Sequence, residues 1–176
     1  MWGWVRGFKG DQGWNGCLTL PRTLTIDQQG KLQQQAAPEL RSLRGDKILE
    51  MKGLLLEQTK KVVSKTQQLE IEATFAPGND CGIRLFKTES NPGLEIKYAN
   101  AELKVGDQKA PLVLHAVDFL NLHIFVDHSV VEVYGKDGVC LTKVFYPTSS
   151  ECEIEFFSGN EKQILNGEVH ELKGIW

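Results

Sequence analysis

The sequence has no long apolar run and no excess of basic residues, and each absence excludes a class of partner. Its longest apolar stretch, residues 120–126, is interrupted by Asn121 and His123, so it is much shorter than the roughly 20 residues of a membrane-spanning helix. Twenty lysines and arginines stand against 23 aspartates and glutamates, without a run of five like charges. We therefore expect no membrane partner and no nucleic-acid partner.

Paired cysteine motifs are also missing, and with them the usual signs of a zinc site or a redox pair. The four cysteines are Cys17, Cys81, Cys140 and Cys152. Their scattered positions favour reduced thiols, and four equally scattered histidines give no metal-ligand spacing. These positions predict no metal site. Residues 1–8 lack the basic start and unbroken apolar centre of a secretory signal, so the chain as given is expected to be cytoplasmic.

What the sequence does contain is a regular alternation of apolar and polar residues between closely spaced turn signals. With 176 residues, 41% of them hydrophobic, it is long enough for one domain with a core. In residues 69–75, for example, apolar side chains alternate with Glu70, Glu72 and Thr74. Many short strands of this kind predict an all-β fold, a two-sheet antiparallel β-sandwich of the concanavalin-like or jelly-roll type. One segment, residues 37–44, has the Pro, Glu and Arg pattern of a short connector helix.

The clearest predicted hairpin pairs residues 122–126 with residues 131–134 across a bend. Placing Val126 opposite Val131 puts four aliphatic side chains on one face, as packing against a second sheet requires. The opposite face then collects a different set of side chains: His123, Phe125, Glu132 and Tyr134.

Three of the four tryptophans lie within 14 residues of one another, among five glycines, near the start of the chain. They are Trp2, Trp4 and Trp14. So many large rings with no preceding chain to cover them are typical of the end of another domain, and we expect them to form an interdomain contact. The alternative is a tryptophan-rich edge strand folded back on the sandwich.

Several motifs, in this order and spacing, resemble glycoside hydrolase family 32, the invertases, levanases and inulinases that cleave β-fructofuranosides. They are residues 2–4 (WGW), 13–22 (GWNGCLTLPR), 38–40 (PEL), 127–134 (DHSVVEVY) and 142–147 (TKVFYP). The chain departs from the family's usual residues at Thr23, Tyr134 and Val144. The resemblance covers nearly the whole chain and implies three segments: residues 1–22 as a remnant of the catalytic β-propeller, 23–46 as a linker, and 47–176 as the C-terminal β-sandwich.

The resemblance also implies that the catalytic residues lie elsewhere, because the family carries its two aspartates and its acid/base glutamate on the propeller. Neither an Asn-Asp-Pro-Asn-Gly nor an Arg-Asp-Pro motif occurs in this sequence. Glu151-Cys152 echoes the acid/base pair, but Glu151, Glu153 and Glu155 alternate with apolar residues like the wet face of a strand. Glu70 and Glu72 have suitable spacing for a glycosidase pair, yet both are expected to be solvated and ionised. The chain alone is therefore expected to be inactive, and the resemblance implies no metal and no organic cofactor.

The resemblance implies a structural role, in which the sandwich supports the catalytic propeller, and two alternatives stay open. One is a carbohydrate-binding module for fructose or fructan, in which aromatic rings and a carboxylate hold a sugar. Its candidate residues are Arg84, His123, Phe125, Glu132 and Tyr134. The competing interpretation is that this face packs against another layer or the propeller, with Glu132 bonded to an arginine or a backbone donor. The other alternative is a sandwich that only mediates protein contacts, including those of a homo-oligomer.

Overall fold

The structure is a computed structural model that describes residues 1–10, 13–57, 59–78, 80–159 and 163–174. Within these residues the chain forms sixteen strands and two short 3₁₀ helices. The strands are β1 (Trp4–Val5), β2 (Cys17–Leu18), β3 (Arg22–Ile26), β4 (Leu32–Ala36), β5 (Arg44–Leu56), β6 (Thr59–Ser64), β7 (Gln68–Phe75), β8 (Cys81–Leu85), β9 (Leu94–Ala99), β10 (Glu102–Val105), β11 (Gln108–Pro111), β12 (Leu120–Asp127), β13 (Val130–Tyr134), β14 (Cys140–Val144), β15 (Cys152–Ser158) and β16 (Gln163–Leu172). The helices span Pro38–Leu43 and Lys136–Gly138.

Two six-stranded antiparallel sheets make up the body of the molecule. One, the first sheet, has the order β11-β10-β9-β8-β15-β6, and the second sheet has the order β14-β13-β12-β7-β16-β5. Their facing sides share a single apolar core, in which Phe75, Ile83 and Phe156 are fully buried. The predicted all-β, two-sheet antiparallel sandwich is therefore confirmed.

The predicted hairpin between β12 and β13 has the expected register. Val126 lies opposite Val131 and Ile124 opposite Val133, and all four side chains are buried. This register is strongly specified, because a slip of one residue would move these aliphatic groups out of the core. As predicted, His123 and Tyr134 are cross-strand neighbours on the outer face, as are Phe125 and Glu132.

The connector helix is present but is a 3₁₀ helix over Pro38–Leu43, shorter than the predicted residues 37–44. Pro38 occupies its first turn and Ala37 offers no side-chain cap. Arg44 then takes an extended conformation and begins β5, so the helix ends where the sandwich begins. Six residues without a side-chain cap suit the tighter 3₁₀ geometry, which proteins use in short pieces.

Two small hairpins precede the sandwich, β1 with β2 and β3 with β4. Gly16 lies directly beneath the Trp4 indole, where a β-carbon would stand 2.5 Å from the ring. The first hairpin is tied to the sandwich through a few hydrogen bonds, including one from the Lys9 amide to the Tyr146 hydroxyl. No helix in the described part of the chain is both long and apolar enough to cross a bilayer.

Candidate functional site

The outer face of the second sheet is partly covered by the segment that links the first hairpin to β5. Leu40, on the 3₁₀ helix, is buried against Phe125 and Tyr134. The two rings meet edge-on, with their centroids 6.3 Å apart. The predicted aromatic platform therefore exists, but its rings pack under the linker.

Glu132 is buried beneath the same linker and is fully engaged by donors from this chain. Its carboxylate accepts hydrogen bonds from the Leu20 amide at 2.6 Å, the Arg22 guanidinium at 2.5 Å and the Tyr134 hydroxyl at 3.0 Å. Arg22 also donates to the Thr142 hydroxyl. Glu132 is consequently a structural anchor for the linker and has little capacity left for a sugar hydroxyl. This is the packed arrangement that the sequence left open as the alternative.

The two groups around Glu132 are held in fixed protonation states by their surroundings. Burial raises the pKa of the Tyr134 phenol, and the nearby Glu132 carboxylate raises it further. Burial opposes the charge on Arg22, but the hydrogen bond to Glu132 and the electrostatic attraction of the neighbouring groups together outweigh burial and leave the arginine pKa raised. Arg22 is thus held in its charged form and the Tyr134 phenol in its neutral form.

A second ion-pair network lies on the outer face at β7, where Glu70 is fully buried. Arg44 binds both carboxylate oxygens of Glu70, at 2.6 and 2.9 Å, and His123 Nε2 lies 2.6 Å from Oε1. Burial alone would raise the pKa of Glu70, but the bonds from His123 and Arg44 lower it to about 2. The expectation that Glu70 is solvated is wrong, since its charge is stabilised by an arginine and a histidine instead of water.

Arg44 continues the network across the sheet. Its guanidinium lies 3.1 Å from Glu72 and 2.9 Å from Glu168, and its pKa is raised, chiefly by the bond to Glu70. Glu70, Glu72 and His123 have the donor set of a metal site, with ligand atoms within 4.8 Å of one another. Because Arg44 already neutralises both carboxylates at the same oxygens, we assign this cluster to the ion-pair network.

Arg84 is not part of this face. It lies on β8 of the first sheet, where its guanidinium donates to Glu155 at 2.7 Å and to Glu95 at 2.8 Å. Its guanidinium also covers the Phe157 ring, 4.0 Å from the centroid. The prediction that Arg84 joins His123 and Tyr134 is wrong, because β8 and β12 belong to different sheets and these side chains point outward on opposite sides of the sandwich.

The same contacts correct the expectation that Glu155 lies on a wet strand face. Its carboxylate is buried and is bonded by Arg84, Lys87 and Lys61. Burial opposes ionisation of Glu155, and the three cations outweigh it and lower the pKa. An acid held ionised in this way cannot protonate a leaving group, so Glu155 has no general-acid role.

The buried thiols are equally unsuited to catalysis. Burial raises the pKa of Cys81 and Cys152 to about 12 and that of Cys140 to about 11. All four cysteines are free. Because the thiolate is the nucleophilic form, these three residues remain protonated and unreactive at neutral pH.

A cleft of about 730 Å³ opens where the linker leaves the second sheet uncovered. One wall is formed by the linker, including Gln35 and Arg41, and the other by Thr74, Asn121 and His123. The loop that follows β13 also lines the cleft, as do Phe125 and Tyr134. Of the predicted carbohydrate-binding residues, His123, Phe125 and Tyr134 therefore reach the cleft, whereas Glu132 and Arg84 do not line it.

The three predicted interdomain tryptophans are strongly exposed. Trp2 is 61%, Trp4 56% and Trp14 46% exposed. Leu18, the cross-strand partner of Trp4, adds to the same apolar surface at 61% exposure. Such exposed indoles are compatible with the predicted interdomain contact, which stays a prediction.

The fold is thus a two-sheet β-sandwich with a linker packed on the outer face of its second sheet. The family model for the C-terminal domain of glycosyl hydrolases family 32 matches residues 39–171. The chain belongs to this family. Its match begins in the 3₁₀ helix and includes the sandwich as far as Glu171 in β16.

Curated relatives show how much of a family enzyme this chain represents. It is 27% identical over 164 residues to the raffinose invertase of Escherichia coli and 29% identical over 172 residues to a sucrose-6-phosphate hydrolase of the same species. Each match includes 88% of this chain but only 34% of the relative. The solved sucrose-6-phosphate hydrolase of Lactobacillus gasseri has the same fold, with a TM-score of 0.72 at 22% identity, covering 93% of this chain and 35% of the other.

Proposed function

We propose that this chain is the C-terminal β-sandwich of a β-fructofuranosidase-like glycoside hydrolase and that it supports a catalytic propeller without taking part in hydrolysis. The observation that carries the proposal is that the chain spans about one third of the relatives it matches and matches the C-terminal family model. Names of those relatives refer to raffinose, sucrose 6-phosphate and levan. Terminal fructosyl bonds are accordingly the proposed substrate class of the complete enzyme.

The exposed tryptophans are the proposed contact with the catalytic domain. In this view residues 1–22 form the end of the propeller, residues 23–46 the linker, and residues 47–176 the sandwich. Burying Trp2, Trp4 and Leu18 against a complementary apolar surface would stabilise the association by the hydrophobic effect. Glu132 would then hold that surface at a fixed place on the sandwich, because it bonds Leu20 and Arg22 at the end of the first segment.

Association with a catalytic domain tests this proposal. The purified chain is mixed with a family 32 catalytic domain from the source organism, and tryptophan emission and sedimentation velocity are measured. We expect a blue-shifted emission and a faster-sedimenting species. The double variant Trp2→Ser/Trp4→Ser should lose both effects, whereas Val117→Ser, which alters a 79% exposed side chain on another loop, should keep them.

A second copy of this chain is the other candidate partner for the tryptophan surface. Sedimentation of the chain by itself separates the two proposals, because self-association appears without the catalytic domain. Association in the mixture that is unaffected by Trp2→Ser/Trp4→Ser would contradict the assigned contact, and no association of any kind would contradict the supporting role.

A further inference from the structure

The cleft beside the linker is a sizeable hollow on the second sheet that the packed contacts do not explain. Its volume, about 730 Å³, lies in the range of about 300–1,000 Å³ that is typical of small-molecule sites. It is formed between the linker and the sheet, and the bonds of Glu132 and Glu70 hold both of its walls in place. A preformed cleft of this kind requires little reorganisation when a ligand binds.

The charges around the cleft favour a neutral ligand. Lys136 bonds Asp118 at 2.7 Å and Arg41 lies 3.6 Å from Glu72, so each cation of the lining has a carboxylate neighbour. Glu70 is in turn neutralised by Arg44. An anionic ligand would have to displace one of these pairs, and burying a charge without a free counter-charge is costly. Asp137, which makes no ion pair within the described residues, is left as a carboxylate acceptor.

The remaining polar groups of the lining suit hydroxyl groups. Thr74 donates to Asn121 Oδ1 at 2.8 Å, which turns the Asn121 amide nitrogen into a donor without a partner among the described residues. Gln35 lines the same cleft from the linker and likewise makes no side-chain hydrogen bond in the described part of the chain. A side-chain amide both donates and accepts hydrogen bonds, and sugar hydroxyl groups do the same.

His123 gives the cleft an aromatic edge. The centroid of its ring lies 4.6 Å from that of Phe125 and 6.3 Å from that of Tyr134. Its side chain remains 30% exposed. The bond to Glu70 fixes the ring orientation. A fixed ring beside amide groups combines the apolar and polar contacts by which pockets recognise small polar molecules.

We propose that this cleft binds a short neutral oligosaccharide with a terminal fructosyl unit, held by Asn121, Thr74 and Gln35 beside the His123 ring. The choice of a fructosyl unit rests on the proposed function, whereas the choice of a neutral, hydroxyl-rich ligand rests on the cleft itself. This site is narrower than the face predicted from the sequence, since Glu132 is taken by the linker and Arg84 lies on the other sheet.

Titration of the intact chain with fructose, sucrose and 1-kestose tests this proposal, with cellobiose as the sugar control. Binding is followed by NMR through the side-chain amide of Asn121 and the ring signals of His123, with the His115 ring as internal reference. We expect saturable shifts at Asn121 and His123 with the fructosyl sugars and none at His115. Absence of saturation with every sugar would overturn the proposal, and equal binding of cellobiose would overturn its fructosyl part.

Variants place the binding in the cleft. Asn121→Trp fills the space between the walls and should weaken binding at least tenfold, and Thr74→Val should weaken it severalfold. Thr59→Trp, at an exposed position on β6 of the other sheet, is the matched control and should bind as well as the original chain. If Asn121→Trp does not fold, Thr74→Val and Gln35→Ala carry the test. Sugar binding that survives these substitutions would overturn the site.

The outcome is separable from that of the proposed function. Loss of sugar binding in Asn121→Trp with intact association to a catalytic domain would leave the supporting role standing. Loss of association with intact sugar binding would leave the cleft standing and contradict the supporting role.

Discussion

At the scale of single residues, the stability of the fold depends on two carboxylates that strand alternation alone would place in water. Glu132 and Glu70 are buried on the outer face of the second sheet and are each bonded by an arginine from the linker or its end. A buried ion pair adds little net stability over apolar packing, but removing one partner leaves an uncompensated charge. Substitutions at these positions should therefore be far more costly than at exposed acids.

Glu132→Ala should lower the free energy of unfolding by about 3 kcal/mol, because Arg22 would be left partly buried without its counter-charge. Glu151→Ala, at an exposed position, is the control and should change it by less than about 0.5 kcal/mol. Urea unfolding followed by circular dichroism measures both. Equal stabilities of the two variants would show that the Glu132 pair does not anchor the linker.

Glu70 predicts a specific dependence of stability on pH. Its pKa falls from an ordinary value near 4.5 to about 2 in the folded chain, so the unfolded chain takes up the proton first as the pH drops. The stabilisation is complete above pH 4.5 and is lost between about pH 4.5 and 2, amounting to roughly 3 kcal/mol. Glu70→Gln should remove this part of the pH dependence, whereas Glu151→Gln should not. A Glu70→Gln variant with an unchanged acid limb would contradict the assignment.

At the scale of elements, the linker is a separately docked layer on the sandwich. Its contacts are the buried Leu40, the Ala36 side chain against the same cluster, and the bonds from Leu20 and Arg22 to Glu132. These contacts are few compared with the shared core of the two sheets. The linker should therefore open at a lower free energy than the strands beneath it.

Leu40→Ala should release the linker selectively, since a Leu→Ala change at a buried site costs about 2–5 kcal/mol. Amide hydrogen exchange is the measurement. The Leu20 amide, which donates to Glu132, should exchange much faster, while the Ile124 amide in the centre of β12 should be unaffected. Uniform acceleration at both amides would mean that the linker and the sandwich unfold as one unit.

Much of the sandwich could be predicted because its information is local. Alternation in residues 69–75 and the register of Val126 with Val131 follow from turn spacing and from the need to bury aliphatic groups. What could not be predicted depends on contacts distant in sequence. Arg84 belongs to the sheet opposite His123, and Arg44 reaches Glu168 on β16, 124 residues away. Strand alternation also does not indicate that Glu70 and Glu155 are buried and bonded by basic side chains.

Only part of the candidate site could be predicted, because only part of it depends on local sequence patterns. The hairpin register placed His123, Phe125, Glu132 and Tyr134 on one face, which the structure confirms. Leu40 and Arg22 determine which of these residues remain accessible, because they cover part of this face. The sequence does not indicate which strands these two side chains contact. Arg22 is the last residue of the motif at residues 13–22. Its place in that motif was the sequence feature that could have suggested it as a partner for Glu132.

At the scale of the whole molecule, the chain has the properties of a part that works beside another domain. Its two sheets share one apolar core, its buried acids Glu70, Glu132 and Glu155 are paired with cations, and Trp4 is exposed beside Leu18 on the first hairpin. A retaining glycosidase needs two facing carboxyl groups, one of them with a raised pKa. In Glu70 and Glu155, by contrast, the pKa of the carboxyl group is lowered by the cations bonded to it.

Release of fructose from sucrose, inulin and levan by the purified chain tests this account most directly. We predict none above the level of a buffer control, because the hydrolytic acids are proposed to belong to a catalytic domain. Fructose release that disappears in Glu151→Gln would contradict the account, since it would make the Glu151-Cys152 pair of this chain an acid/base site.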